Sequence, residues 1–364
     1  MANRNYHDQL NIDNEVKLRE LTSALPRFCS QFFIGIEPTS ASRTRIAYAY
    51  DLHVFFNYIK DNNPMYKDVE IRDIPIDILD NITPTDIEEY LQYLKYYEMD
   101  GKEHINNERG IMRKLASLRT FYNYYFRSEK IKTNPPSIVR TPKYHQKEII
   151  RLDIDEVSRL LDEVESGDSL TKRQKAYHEK TKVRDLALLT LLLGTGIRVS
   201  ECVGLDIKDV DFKNAGIKIR RKGGYETVVY FGDEVYDALT NYMNERKNII
   251  ASEGSEEAFF LSMQNKRLNV RSVENLVKKY SSLVTSLKKI TPHKLRSTYG
   301  TNLYKETGDI YLVADVLGHK DVNTTKRHYA AIEDDRRRSA RNAVKLRENL
   351  HDEKTNNDTN EKDE

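Results

Sequence analysis

Three short segments carry residue types that could act together on a phosphate ester. The first is Thr291-Pro292-His293-Lys294-Leu295-Arg296. Threonine suits a helix N-cap and proline the first helical position, so a helix is expected to begin here. His293 and Arg296, three residues apart, then share one face near a helix N-terminus, whose N–H groups favour an anion. An imidazole, a guanidinium and a positive helix end fit a phosphate under attack. Alone, H-x-x-R occurs often by chance, and a capped surface helix is the simpler account.

The second segment is Thr195-Gly196-Ile197-Arg198-Val199-Ser200-Glu201-Cys202-Val203-Gly204-Leu205. Arg198 follows a glycine break at the end of the apolar run Leu186 to Leu193, which reads as a buried helix. An arginine at such an interior edge needs a partner, and Glu201 can hold its guanidinium. A structural ion pair explains this segment equally well in isolation. The third segment runs from Leu317-Gly318-His319 to His328-Tyr329. Gly318 has the place of a helix C-cap, Asn323 or Thr324 that of the next N-cap, and Tyr329 lies on the helix that follows. The chain has 23 tyrosines, so any one of them is ordinarily structural. The chemistry has to come from the set.

The elements that must position these residues can be read in outline. Residues 15–130 have helical spacing throughout. Arg43 to Ile59 repeats apolar and aromatic residues at Ile46, Tyr50, Val54 and Phe55, and Pro84 to Tyr97 at Ile87, Tyr90, Leu91 and Leu94. Glu108 to Phe126 carries Ile111, Leu115, Leu118, Phe121, Tyr122 and Tyr125 on one stripe, which reads as core rather than as a platform for bases. Arg43, Arg45, Arg113, Lys114 and Arg119 fall on the opposite faces, where they would be free to meet phosphate. Prolines at Pro135, Pro136 and Pro142 end the last helix and are expected to hold the chain extended, which places a linker at 131–150.

The second domain, 151–347, begins with a helix at Leu152 to Glu156, with acids in its first turn. Ile217 to Arg220 and Thr227 to Phe231 read as strands joined by Arg221-Lys222-Gly223-Gly224-Tyr225, a hairpin whose paired glycines supply the turn. Helical patterns fill most of the remainder. The fold class expected is mainly α with a small antiparallel β-sheet, α+β in type. Residues 348–364 hold seven acids against two lysines and read as a disordered acidic tail.

Composition narrows the functional classes. The formal net charge is only +2, but setting the acidic tail aside leaves a more basic body. Basic clusters at 143–151, 220–222, 288–294 and 336–341 favour a polyanionic partner over a merely solvated surface. Two cysteines, Cys29 and Cys202, exclude a disulfide framework and a cysteine-rich zinc site, and both read as reduced structural thiols. No metal-ligand spacing appears, and no cofactor is expected. No apolar run approaches the roughly 18 residues of a membrane span. The N-terminus lacks a signal-peptide core. The expected compartment is the cytoplasm.

Taken in order, the three segments and the hairpin lysine resemble the tyrosine recombinase and integrase family, particularly Xer-type recombinases. That family carries an arginine in G-x-R-x-x-E-x-x-x-L, a lysine on a β-hairpin, H-x-x-R, and L-G-H ahead of a nucleophilic tyrosine. The corresponding residues are Arg198 with Glu201, Lys222, His293 with Arg296, and His319 with Tyr329. The resemblance covers roughly residues 20–345. Arg113 to Tyr122, ahead of Asn134-Pro135, is similar to the family's helical core-binding domain. Overall length and Arg221 to Gly224 are most similar to the Xer recombinases that act alone. One departure stands: His319 to Tyr329 is ten residues, one more than the commonest spacing, which bears on loop geometry more than on the identity of the nucleophile.

The resemblance implies a site-specific recombinase that cuts and rejoins duplex DNA. Tyr329 would attack to form a 3′-phosphotyrosyl bond and release a 5′-hydroxyl. Arg198 and Arg296 would clamp the non-bridging oxygens. His293 would take the phenol proton, Lys222 would protonate the leaving oxygen, and His319 would bond the phosphate or support the nucleophile. It further implies two domains clamping DNA from opposite sides and a homotetramer on paired sites, with 334–350 packing on a neighbour and an accessory protein as a further partner. Chromosome dimer resolution is the leading expectation. The rivals are an integrase or excisionase of a mobile element, a DNA-inverting recombinase, a catalytically inert DNA-binding protein of the same fold, and a type IB topoisomerase.

Overall fold

The computed structural model describes residues 6–143, 150–221 and 223–319. The chain divides into two compact units, 1–148 and 149–364. In the first, the helices are α1 (Tyr6–Ser23), α2 (Cys29–Gly35), α3 (Ser42–Asn62), α4 (Ile78–Asn81) and α5 (Pro84–Tyr93). A hairpin follows, β1 (Tyr96–Met99) and β2 (Lys102–Ile105), then α6 (Glu108–Arg127) and α7 (Pro135–Ile138).

Local chemistry accounts for these boundaries. α5 opens on a reciprocal cap: Thr83 N–H donates to Asp86 Oδ2 at 2.7 Å, and Asp86 N–H donates to Thr83 Oγ1 at 3.3 Å. The aromatic stripe of α6 is core, as its spacing predicted: Phe121, Tyr122 and Tyr125 are buried with Phe55 and Phe56 of α3 and Phe32 of α2. Phe32 meets Phe121 edge-on, with ring centroids 5.1 Å apart.

Three expectations for this unit are corrected. Helix begins at Tyr6, well before residue 15, and Arg45 Nη2 fastens α1 to α3 through Glu15 Oε1 at 2.5 Å. The all-helical reading misses β1 and β2, which take Tyr96 and Tyr97 away from α5. Their two-residue turn, Asp100-Gly101, has φ of +53° and +67°, the type I′ pattern that an Asp-Gly pair favours, so the signal was present. Last, Pro135 and Pro136 start a helical turn instead of holding an extended linker. Residues 136–141 lie on the first unit, where Arg119 donates to Pro136 O, Val139 O and Thr141 Oγ1.

The second unit contains α8 (Ile154–Ser166), α9 (Lys172–His178), α10 (Lys182–Thr195) and α11 (Val199–Val203). Strands β3 (Val210–Asp211), β4 (Gly216–Arg220) and β5 (Glu226–Tyr230) form an antiparallel sheet in the order β3-β4-β5. α12 (Asp233–Arg246), α13 (Val270–Val284), α14 (Pro292–Thr307) and α15 (Ile310–Leu317) complete it. The apolar run of α10 is buried and packs against α8, α12 and α14. Burying the apolar run of α10 against three helices fixes the elements at its C-terminal end, where Arg198 emerges. Pro292 occupies the first turn of α14 as expected. Thr291, however, caps with its backbone alone: its carbonyl accepts from Lys294 and Leu295, and its side chain makes no cap bond. No helix among the described residues is long and apolar enough to cross a membrane.

Candidate active site

Two of the expected site arginines meet at the C-terminal end of α15. Arg198 stands at the start of α11. Its backbone N–H donates to Glu201 Oε2 at 2.7 Å, and its Nη1 donates to Glu201 Oε1 at 2.7 Å. Glu201 is buried, whereas 34% of the Arg198 side chain remains exposed. Glu201 therefore fixes the base of a guanidinium whose outer edge faces solvent. Nη2 reaches Gly318 O at 3.4 Å.

Arg296, one turn into α14, is buried. Its Nη1 donates to Gly196 O at 2.6 Å and its Nη2 donates to Leu317 O. The two guanidiniums thus sit on adjacent carbonyls of one turn. Gly196 makes this possible: it has φ +62°, and a Cβ there would come within 2.4 Å of the Tyr299 ring and 2.9 Å of Leu317. The carbonyls at a helix C-terminus carry partial negative charge, which suits cations.

A third guanidinium reaches the same turn. Arg221, the residue just past the end of β4, is buried and donates from Nη2 to Val316 O at 2.8 Å. Val316, Leu317 and Gly318 therefore accept, in order, from Arg221, Arg296 and Arg198. Sequence reasoning missed this role for Arg221, treating it only as a neighbour of Lys222. A basic pair in a hairpin turn is ordinarily solvated, and no local pattern marks one that turns inward.

His293 lies exposed on the first turn of α14, one turn before Arg296. His319 is half-buried; its N–H donates to Ala314 O at 2.9 Å, closing the C-terminal turn of α15 with Gly318 at φ +62°. A cleft of about 380 Å³ between the hairpin and α15 is lined by Arg221, Tyr225, Tyr230, Tyr299, Asp315 and His319, among others. Lys222 and Tyr329 lie outside the described residues, as do the acidic tail 348–364 and the segment 334–350. Among the described residues, no group of three or more His, Cys, Asp or Glu side chains could hold a metal ion. Cys202 is fully buried in α11, and burial pushes its thiol well above the ordinary range, so it is a structural thiol.

In the first unit, the five cations placed on an outer face divide. Arg43 is exposed. Arg45 is buried against Glu15. Lys114 is buried and, with half-exposed Arg113, pairs with buried Asp51 at 3.0 and 2.5 Å. Arg119 spends its donors on Pro136, Val139 and Thr141. The expectation of a free outer face therefore fails for Arg45, Lys114 and Arg119. Helical spacing identifies the face opposite the apolar stripe, but cannot foresee that Asp51 of α3 and Glu15 of α1 approach it.

Residues 151–336 match the family described as the phage integrase family. The tyrosine recombinase XerC of Caldanaerobacter subterraneus subsp. tengcongensis is 32% identical over 81% of this chain and 80% of its own length. The tyrosine recombinase XerD of Staphylococcus epidermidis is 31% identical over 81% of this chain and 90% of its own. Among solved structures, the post-cleavage complex of the XerH site-specific recombinase with palindromic difH substrate aligns with TM-score 0.63 at 18% identity, covering 84% of this chain and 81% of that one. A lambda integrase dimer bound to a COC′ core site aligns with TM-score 0.58 at 17% identity, covering 82% and 93%. These structural likenesses concern the fold.

Proposed function

Since this chain belongs to the phage integrase family of tyrosine recombinases, which cut and rejoin DNA through a tyrosine, we propose that Arg198, Lys222, His293, Arg296, His319 and Tyr329 carry that reaction here, with Glu201 in support. The observation that carries the reading is the meeting of Arg198 and Arg296 on the carbonyls of Leu317 and Gly318, beside His319.

A phosphodiester is an anion, and attack on it builds further charge on the non-bridging oxygens. Two guanidiniums already oriented by protein acceptors stabilise that charge without reorganising during the reaction. Arg198 offers its solvent-facing edge, and Arg296 supplies buried charge behind it. The Tyr329 oxygen forms a bond to phosphorus as the bond from phosphorus to the 5′ oxygen breaks. A phenol with a pKa of about 10 needs a base at neutral pH, and His293 takes its proton. Lys222 supplies a proton to the departing 5′ oxygen. The phosphotyrosyl link stores the energy of the broken bond, so rejoining needs no nucleotide hydrolysis.

Duplex DNA is the substrate. We assign the first unit to gripping DNA around the cleavage site, and the working assembly to a homotetramer on paired sites in the cytoplasm, with an accessory protein as a further partner. The similarity to XerC and XerD over most of the chain favours chromosome dimer resolution as the task.

Covalent capture tests the reading. The protein is incubated with sheared DNA of its source, denatured, and the attached fragments are sequenced, with Tyr329→Phe in parallel. Fragments held by the native protein and absent with the variant support the mechanism and reveal the site. A single locus near the replication terminus favours dimer resolution, and element ends favour an integrase. Reversible binding with no adduct would overturn the proposal.

A further inference from the structure

We propose that Arg221 is a positioning residue for DNA cleavage: by occupying Val316 O it leaves Leu317 O to Arg296 and Gly318 O to Arg198, and so keeps the two phosphate clamps in register. The inference rests on the assignment of Arg198 and Arg296 as those clamps.

Four observations carry it. Arg221 is only 7% exposed, and its Nη2 donates to Val316 O at 2.8 Å. Its backbone is held at the root of the hairpin, with N–H donating to Tyr225 O at 2.9 Å and its carbonyl accepting from Gly224 at 3.0 Å. The guanidinium lies so close to Gly318 that a Cβ there would stand 1.4 Å from Nη1, so this approach needs glycine. Finally, its Nε and Nη1 are buried with no hydrogen-bond partner among the described residues. A buried cation with two unused donors is costly, and a purely structural arginine is normally saturated. Here the arrangement adds positive charge beside Arg198 and Arg296.

The three acceptors are consecutive, so their assignments are coupled. Without Arg221, the Val316 carbonyl loses its cation, and Arg296 or Arg198 can slip toward it by one peptide. Displacing a clamp by about 1 Å is enough to slow chemistry by about a hundredfold.

The test uses full-length protein and a nicked duplex carrying the captured cleavage sequence, made with either an ordinary scissile phosphate or a methylphosphonate. The methylphosphonate lacks the negative charge the clamps must meet. On both, the Tyr329 oxygen bonds phosphorus, the bond to the 5′ oxygen breaks, and the phenol proton ends on that oxygen. Arg221→Gln is expected to slow single-turnover adduct formation by about 10- to 100-fold on phosphate, but by less than about 3-fold on methylphosphonate, with duplex binding within about 3-fold of native. Arg221→Lys, which retains the buried charge and a donor, carries the same test if Arg221→Gln does not fold, with a smaller loss and the same relief. Equal losses on the two substrates, or no loss on phosphate, overturn the inference. Arg198→Ala and Arg296→Ala separate the two levels. If neither is relieved by methylphosphonate, the clamp assignment itself fails; if they are relieved and the Arg221 variants are not, only the role of Arg221 fails.

Discussion

Glu201 holds Arg198 from two directions, one carboxylate oxygen accepting the Arg198 backbone N–H and the other accepting Nη1, each at 2.7 Å. The carboxylate is buried and the guanidinium one-third exposed, so the pair orients a cation toward solvent instead of cancelling two surface charges. Glu201→Ala is expected to lower the single-turnover cleavage rate by about 10- to 100-fold, because the guanidinium regains rotational freedom. Glu201→Gln keeps an acceptor for one of the two bonds and should fall between that variant and native. Binding of uncleaved duplex, read by fluorescence anisotropy, should stay within about 3-fold of native for both. A parallel loss of binding and rate would point to collapse of α11 instead.

Gly318 performs two tasks that any side chain would break together. It adopts φ +62° to end α15, and it lets the Arg221 guanidinium lie against its backbone. Gly318→Ala carries a left-handed penalty of about 1–2 kcal/mol and forces Arg221 aside. Its melting temperature should fall by about 2–8 °C. Its cleavage rate should fall at least as far as that of Arg221→Gln. Near-native cleavage by Gly318→Ala would show that the turn tolerates displacement of Arg221.

The unequal legibility of the molecule follows from the range of the interactions involved. The cap of α5, the stripe of α6, the buried run of α10 and the end of α15 at Gly318 are set by residues within one or two turns, and the sequence states them. The spacing of Arg198 to Glu201 likewise foretold their pairing. The inward turn of Arg221, the meeting of Arg198 and Arg296 on one peptide run, and the burial of Lys114 against Asp51 depend on elements far apart in the chain. The β1–β2 hairpin is a different case. Asp100-Gly101 announced it locally, but helical spacing on both sides outweighed a two-residue signal.

Asp51 anchors an ionic cluster in the first unit and should prove a stability determinant rather than a bystander. It is buried and accepts from Arg113 at 2.5 and 2.7 Å, from Lys114 Nζ at 3.0 Å and from Ser117 Oγ at 2.6 Å. Asp51→Ala strands the buried Lys114 ammonium, at a cost of about 3–5 kcal/mol, read as a lower urea midpoint with unchanged slope. Adding Lys114→Met should recover most of that loss, since an apolar side chain needs no counter-charge. Lys114→Met alone should leave the salt dependence of DNA binding unaltered, whereas removing a true phosphate contact lowers the slope by about one. A reduced slope would return Lys114 to the DNA-binding surface.

Lys288 links the start of α8 to the segment before α14, donating to Asp153 Oδ2 at 2.9 Å and Glu156 Oε2 at 2.5 Å. The hydrogen bond from Lys288 is the main reason the Asp153 carboxyl titrates below its usual range, and the bonds to Glu156 and then Asp153 raise the Lys288 ammonium. A carboxyl whose folded value lies below its unfolded one stabilises the fold above the unfolded value, near pH 4, and loses that contribution as pH falls through the folded value. An ammonium raised on folding contributes fully below its unfolded value and loses it only as pH climbs through the folded one, above about pH 10. The pair is therefore complete from about pH 5 to 10. Lys288→Met should lower the melting temperature by a constant, small amount across that window, and the gap to native should narrow as pH is taken from about 5 toward 3. Asp153 is largely exposed, so solvent screening keeps the effect to a degree or two at most, and added salt should shrink it further. A gap that instead widened on acidification would mean that Lys288 holds the fold through its aliphatic stem and not through its charge.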